Sequence, residues 1–451
     1  MAHTTARIGT VDFATAITTG HDHRLIADEG AELGGKDAGP APYDLLTSAL
    51  GACTVITLRM YAERKQWPVT SVQADIHFTR SPDKVESIDR VLRIEGADAE
   101  QKKRMAEIAE KTPVTLTLKR SLEIRTTLAR EETAMQIGFS APTAGPLAAL
   151  DPLVRLCAGA EELGLDYATF SDHVVIPTEI ASPYPYSATG EFTNQGTGER
   201  NEQLIELAFV AARTTKLKLV TSVMVVPHRP AVLAAKQLAT IDVLSGGRVI
   251  LGIGAGWMKE EFEAIGAPPF AERGKVTDEY VAAFKELWTK DKPRFAGTYV
   301  NFDKITFAPK PAQKGGIPIW VGGESGPALR RTAKYGDAWY PIPNNPAFPM
   351  DSLPRLGAGI ARLRQLTAEA GRDPKAVGVT VRFQRYAPGK ADKAGDGERK
   401  LFTGSTADII GDVKALDALG VNAIDLGFAG GAIPEILAEM KKFKAEVMAK
   451  V

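Results

Sequence analysis

Asp172 and His173 stand side by side directly after an apolar run, in ATFSDHVV. A carboxylate beside an imidazole is suited to moving a proton and orienting a bound cofactor, because histidine changes charge near neutral pH. The same pair also reads as a helix-capping Asp beside a structural His, and position alone leaves the two readings even. Cys53 is the second candidate, a thiol flanked by Ala49, Gly51 and Ala52 in the stretch PAPYDLLTSALGACTVITLRMYAERKQW. A lone helical thiol is usually buried and inert, and a reactive one must be accessible as thiolate. Glycines form the third group. Gly252, Gly254 and Gly256, in GIGAGW, let backbone approach a flat ring or a phosphate. Their spacing departs from the dinucleotide fingerprint, since the third glycine comes one position early. Gly322, Gly323 and Ser325 precede a helix opened by Pro327 in VGGESGPALRR. Free amides at such a helix start attract phosphate, and Arg330 and Arg331 add charge nearby.

These residues need a scaffold, and from Met135 onward the pattern repeats as strand then helix. Strands are expected at Gln136–Phe139, Tyr167–Phe170, Leu217–Val225, Val249–Gly254, Ile317–Val321, Ala338–Tyr340, Val377–Phe383 and Ala423–Leu426. Helices are expected at Pro152–Leu163, Ala231–Leu244, Thr277–Trp288 and Thr406–Leu419, with a last one from Ile433 to the C-terminus. Eight such units in about 315 residues fit a (β/α)8 barrel with insertions, although a doubly wound sheet also alternates. In a barrel, Asp172 and His173 fall at the C-terminal end of strand two, the face where active sites form. The connection over residues 176–200, IPTEIASPYPYSATGEFTNQGTGER, follows the same strand and is long enough to act as a lid.

The chain divides near Glu132, after the strand-like SLEIRTTL and the charged AREET. Residues 1–133 form a small α+β domain, with one helix over residues 40–67, and residues 134–451 form the α/β barrel. With 451 residues, 44% of them hydrophobic, both parts have material for a core. Charges balance, 55 basic against 55 acidic, so neither nucleic acid nor an anionic membrane is indicated as a partner. No basic and apolar leader opens the sequence, and no apolar run approaches the roughly 18 residues of a bilayer span. Two distant cysteines make no disulfide framework, so a reduced, cytoplasmic protein is expected.

The stretch GGKDAGPAPYDLLTSALGACTVITLRMYAERKQWPVTSVQADIHF, continued by EIAEKTPVTLTLKRSLEI, resembles the OsmC family of organic-hydroperoxide reductases. The resemblance implies an intertwined dimer and places Cys53 on the peroxidatic position. Thr112, Pro113 and Val114 stand where members carry Cys-Pro-Val, and Tyr43 stands where peroxidases carry an acid. A sulfenic acid at Cys53 would therefore lack a resolving thiol within this domain. Peroxidase chemistry and a non-catalytic dimerisation or binding module both remain open. Beyond residue 135, SDHVVIP, TSVMVVPHRPAVLAAKQLATIDVLSGGRVILGIGAGWMKEEFEAIG, FAERG and PKPAQKGGIPIWVGGESGPALRRTAKYGDAW resemble the luciferase-like oxidoreductases, nearest to the branch that uses coenzyme F420. That resemblance implies a catalytic Asp172 and His173 beside a cofactor ring. It also implies a non-prolyl cis peptide at Ser222 and Val223 behind the ring, Gly254 and Gly256 along the cofactor, and Gly322, Gly323 and Ser325 at its phosphate. The implied reaction is hydride transfer between F420 and a small organic substrate in a homodimer, with an FMN-dependent monooxygenase as the alternative. Joint action of the two domains, the barrel reducing the thiol, is a third possibility that no residue demands.

Overall fold

The protein is described by a computed structural model covering residues 4–8, 13–20, 23–81, 83, 86–120, 135–192 and 200–451. It divides into two compact units, Met1–Ala129 and Arg130–Val451. The expected junction near Glu132 and the segment SLEIRTTL lie outside the described residues.

In the first unit, β1 (Thr4–Ile8), β2 (Thr15–Thr19) and β3 (Arg24–Ala27) form an antiparallel meander. The helix α1 (Pro42–Arg64) starts with proline in its first turn, and Asp44 accepts the Ala41 N–H at 3.1 Å. β4 (Ser71–Arg80) and β5 (Glu86–Glu95) pair as a hairpin, followed by α2 (Ala99–Ala109) and α3 (Pro113–Lys119). Leu58 and Ala62 of α1 pack with Val69, Met105 and Ala109 in a small core. By length and composition alone α1 is apolar enough to cross a membrane. Reading the sequence for unbroken apolar runs misses this, because Thr47, Ser48 and Thr54 punctuate the helix. Thr54 turns its hydroxyl to the Leu50 carbonyl at 2.7 Å, which satisfies it inside the helix.

The second unit begins with β6 (Gln136–Ser140), α4 (Leu150–Glu162), β7 (Tyr167–Phe170), α5 (Gln203–Ala211), β8 (Lys218–Thr221), β9 (Met224–Val225), α6 (Ala231–Ser245) and β10 (Val249–Gly254). After α7 (Lys259–Ala264) and α8 (Arg273–Thr289) comes a two-stranded excursion, β11 (Phe295–Ala296) and β12 (Asn301–Phe302). The barrel then resumes with β13 (Ile319–Gly322), α9 (Gly326–Tyr335), β14 (Ala338–Tyr340), α10 (Leu353–Glu369), β15 (Gly378–Phe383), α11 (Thr406–Ala418), β16 (Ala423–Leu426) and α12 (Ile433–Glu446). Eight parallel strands close into a barrel through the β10–β13 and β16–β6 pairs.

Strands such as YATF and AIDL are buried at every position, as expected for strands packed between helices outside and side chains inside. Inside, Tyr167, Trp320 and Tyr340 meet edge to face, with centroids 5.4 and 5.5 Å apart. Gly138 makes room for this layer, since a Cβ there would lie 2.0 Å from the Tyr167 ring. The expected strand Leu217–Val225 is interrupted: the Ser222–Val223 peptide bond is cis, and β9 beyond it pairs only with the end of β10.

Candidate active site

A cavity of about 960 Å³ opens at the C-terminal ends of the barrel strands. It is large enough for a tricyclic cofactor and a small substrate, at the upper end of typical ligand pockets. His173, Ser222, Val223, Gly254, Gly256, Gly322, Gly323 and Ser325 all line it. The barrel residues singled out in the sequence are thus brought together. Cys53 belongs to the other unit, where it is half-buried on α1.

His173 follows β7 and directs Nδ1 at Glu261 Oε2, 2.8 Å away. The other Glu261 oxygen accepts the Val174 N–H at 2.7 Å and the Val175 N–H at 3.3 Å. This buried carboxylate therefore fixes both the loop and the imidazole. With Nδ1–H donated to Glu261, Nε2 is the nitrogen left to the cavity. His228 also lines the cavity, its Nδ1 4.0 Å from Glu261, and burial lowers its pKa. Neither of its ring nitrogens has a hydrogen-bond partner among the described residues.

Asp172 departs from the reading of it as a proton-transfer group. Its side chain is fully buried, and Arg229 holds both oxygens at 2.8 Å in a fork. Oδ2 also accepts the Val225 N–H at 2.9 Å. Arg229 bonds Glu202 as well, and although burial alone would lower its pKa, the hydrogen bonds to Asp172 outweigh that and raise it. Asp172 thus ties β7 to the start of α6 and to β9. It lines the cavity beside His173, but both its oxygens are committed to Arg229 and Val225.

At the other end, Ser325 caps α9 without spending its hydroxyl on a cap bond. Gly323 has φ +100°, a conformation that glycine alone adopts freely. Arg273 donates to the carbonyl oxygens of Gly256 at 3.1 Å and Phe270 at 3.0 Å and lies over the Phe270 ring, 4.0 Å from its centroid. No carboxylate lies within 4 Å of it among the described residues. Uncommitted amides, a hydroxyl and an unneutralised guanidinium are the donors a phosphate needs, so these residues fit a phosphorylated cofactor. Arg331, one of the two arginines noted in the sequence, is instead paired with Asp278 at 2.6 Å.

The long connection after β7 turns inward. Tyr184, Phe192 and Trp257 meet with centroids 5.1–5.3 Å apart and stand beside the His173 ring. Residues 193–199 of this connection lie outside the described residues. Glu261, Arg229 and Trp257 were not singled out in the sequence. Trp257 closes the GIGAGW motif read for its glycines, while Glu261 and Arg229 bond residues 88 and 57 positions away.

Comparison with known proteins agrees with this architecture. The family model for luciferase-like monooxygenases matches residues 133–416, and that for OsmC-like proteins matches residues 34–127. The chain belongs to the luciferase-like monooxygenase family, with an OsmC-like domain ahead of the barrel. An uncharacterized protein of Mycobacterium tuberculosis is 34% identical over 257 residues, 57% of this chain and 83% of that protein. An FMNH2-dependent dimethylsulfone monooxygenase of Pseudomonas putida is 38% identical over 147 residues, 32% of this chain and 40% of that enzyme. Among solved structures, an F420-dependent secondary alcohol dehydrogenase superposes with TM-score 0.54 at 19% identity, covering 69% of this chain and 99% of that one. A monooxygenase from Streptomyces bottropensis superposes with TM-score 0.53 at 19% identity, covering 70% and 99%.

Proposed function

We propose that the barrel is an oxidoreductase that transfers hydride between bound coenzyme F420 and a small organic substrate. The observation that carries this reading is the single cavity wall that combines a glycine-lined edge, a phosphate-type donor set and an imidazole steered by a buried carboxylate. When bound, the deazaflavin supplies the two-electron chemistry. The protein's part is to bind, orient and move a proton. Ser325, Gly323 and Arg273 would hold the phosphate, Gly254 and Gly256 would border the ring, and His173 would exchange a proton with the substrate through Nε2. Similarity to the dimethylsulfone monooxygenase favours a second reading, FMN-dependent monooxygenation on the same groups.

Titrating the full chain separately with F420 and FMN, followed by fluorescence, separates the two readings. Tighter F420 binding supports hydride transfer, and tighter FMN binding supports the monooxygenase. Binding of neither removes both. Arg273→Gln is expected to weaken the preferred cofactor by roughly tenfold to a hundredfold, the range for a charge-assisted hydrogen bond.

The OsmC-like unit is read here as a dimerisation or binding module. Thr112, where a second cysteine would stand, is buried and bonded to Thr115 Oγ1 at 2.6 Å. The other cysteine, Cys157, is buried in the barrel, which raises its pKa and disfavours a thiolate. Free thiols in both units suit a reducing, cytoplasmic setting. A homodimer would cover Ile56 and Met60 on α1, 57% and 62% exposed, and Ile205 and Leu244 on α5 and α6, 69% and 76% exposed. Light scattering on Met60→Glu and Leu244→Glu variants tests this: each change should shift mass from dimer toward monomer. A wild-type chain that is already monomeric would end the idea.

A further inference from the structure

Arg382 is the fifth of the six residues of β15, GVTVRF, beside Phe383 at the C-terminal end of a mostly buried strand. Its side chain reaches the cavity and is 24% exposed there. Nη1 donates to Ser222 Oγ and stands 3.5 Å from Asp425 Oδ2. That carboxylate is mostly committed elsewhere. Asp425 Oδ2 accepts the Tyr340 hydroxyl at 2.5 Å and the Thr169 hydroxyl at 3.2 Å, while Oδ1 is 3.5 Å from Ser140. Among the described residues no other carboxylate comes within 4 Å of the guanidinium.

The rest of the cavity wall offers no free anion to answer this charge. Asp172 is locked to Arg229, and Glu261 faces His173. Glu324 is buried, which raises its pKa, and it accepts from the Ile342 N–H and the Asn345 amide, both at 2.7 Å. Tyr184 lies near the Arg382 charge, and the same cavity is lined by the aromatic side chains of Tyr186, Phe192, Trp257 and Tyr340. A permanently charged fork in such a cavity is suited to a planar carboxylate on an apolar body. An uncharged ligand would leave the guanidinium desolvated and poorly paired.

We propose that the substrate is an aromatic or apolar carboxylate whose anionic end is held by Arg382 in this cavity, on residues other than the phosphate-type site. This rests on reading the cavity as the site of substrate and cofactor, but its test needs no cofactor. Calorimetric titration of the full chain with benzoate and with benzamide compares ligands of one shape and different charge.

Benzoate should bind at least about tenfold more tightly than benzamide. That preference should survive Arg382→Lys and Arg273→Gln, and vanish in Arg382→Gln. Equal binding of the two ligands overturns the proposal, as does a preference that persists in Arg382→Gln. Loss of the preference in Arg273→Gln alone would move the anion to the phosphate end and overturn it too. The wild-type comparison and the Arg273 variant keep the test decisive should Arg382→Gln fold poorly. Failure of both cofactor titrations with a clear benzoate preference would sink the oxidoreductase reading and leave the carboxylate site standing. The converse pattern would do the reverse.

Discussion

His173→Ala should lower kcat/KM by roughly 10²–10⁴-fold, the usual contribution of a positioned acid or base, while the bound cofactor's affinity changes little. Of the two histidines that line the cavity, His173 has the more exposed side chain, 12% against 1% for His228, and Glu261 takes its Nδ1 at 2.8 Å. Phosphate and ring contacts lie on other residues, so affinity and rate should separate. Glu261→Gln provides the companion result. Glutamine keeps the volume but both donates and accepts, so it no longer enforces one tautomer of His173. A smaller loss in rate, with the protein still folded, is expected. Measuring turnover and cofactor affinity on the same preparations decides the matter. A variant with full turnover would remove His173 from the chemistry.

The second large effect concerns stability. Asp172→Ala should destabilise the barrel by about 3–5 kcal/mol, the cost of leaving one member of a buried ion pair unpaired. Arg229 would keep only Glu202, a partner 31% exposed, and the Val225 N–H would lose its acceptor. Urea denaturation of the full chain should show this as a lower midpoint of the barrel transition. Replacing both partners, Asp172→Leu with Arg229→Met, should recover much of the loss, because no buried charge is then stranded. A single variant as stable as wild type would mean that solvent reaches Arg229, contrary to its 9% side-chain exposure.

Much of the barrel is legible in the sequence. Val249–Gly254, Ala338–Tyr340 and Ala423–Leu426 fall where short apolar runs between turn residues place them. Helices are less sharply read at their starts: α8 begins at Arg273, four residues before the expected Thr277, because FAERG carries no apolar periodicity. α5 escapes altogether, since QLIELAFVA is apolar on nearly every side and follows a long connection.

Within the site, the glycines and His173 stand out by motif. Their partners do not, because an ion pair between residues 172 and 229 depends on tertiary proximity that no local pattern encodes. Arg382 and Asp425 carry a signal that could be used directly. Each is a charge inside a strand that packs on both faces, where an ion persists only if paired or functional.

The division of labour around the cavity bears on how such an enzyme changes its diet. The groups expected to handle cofactor and proton sit on strand ends, α7 and α9, tied down by buried carboxylates. Most of the aromatic wall comes from the connection between β7 and α5, with Tyr184 and Phe192 contributing little to the barrel core. Insertions or exchanges there would rewrite which molecules are admitted while leaving folding and the redox apparatus intact. Grafting this one segment between relatives is therefore the cheapest route, for evolution or for an engineer, to a new substrate on an old chemistry.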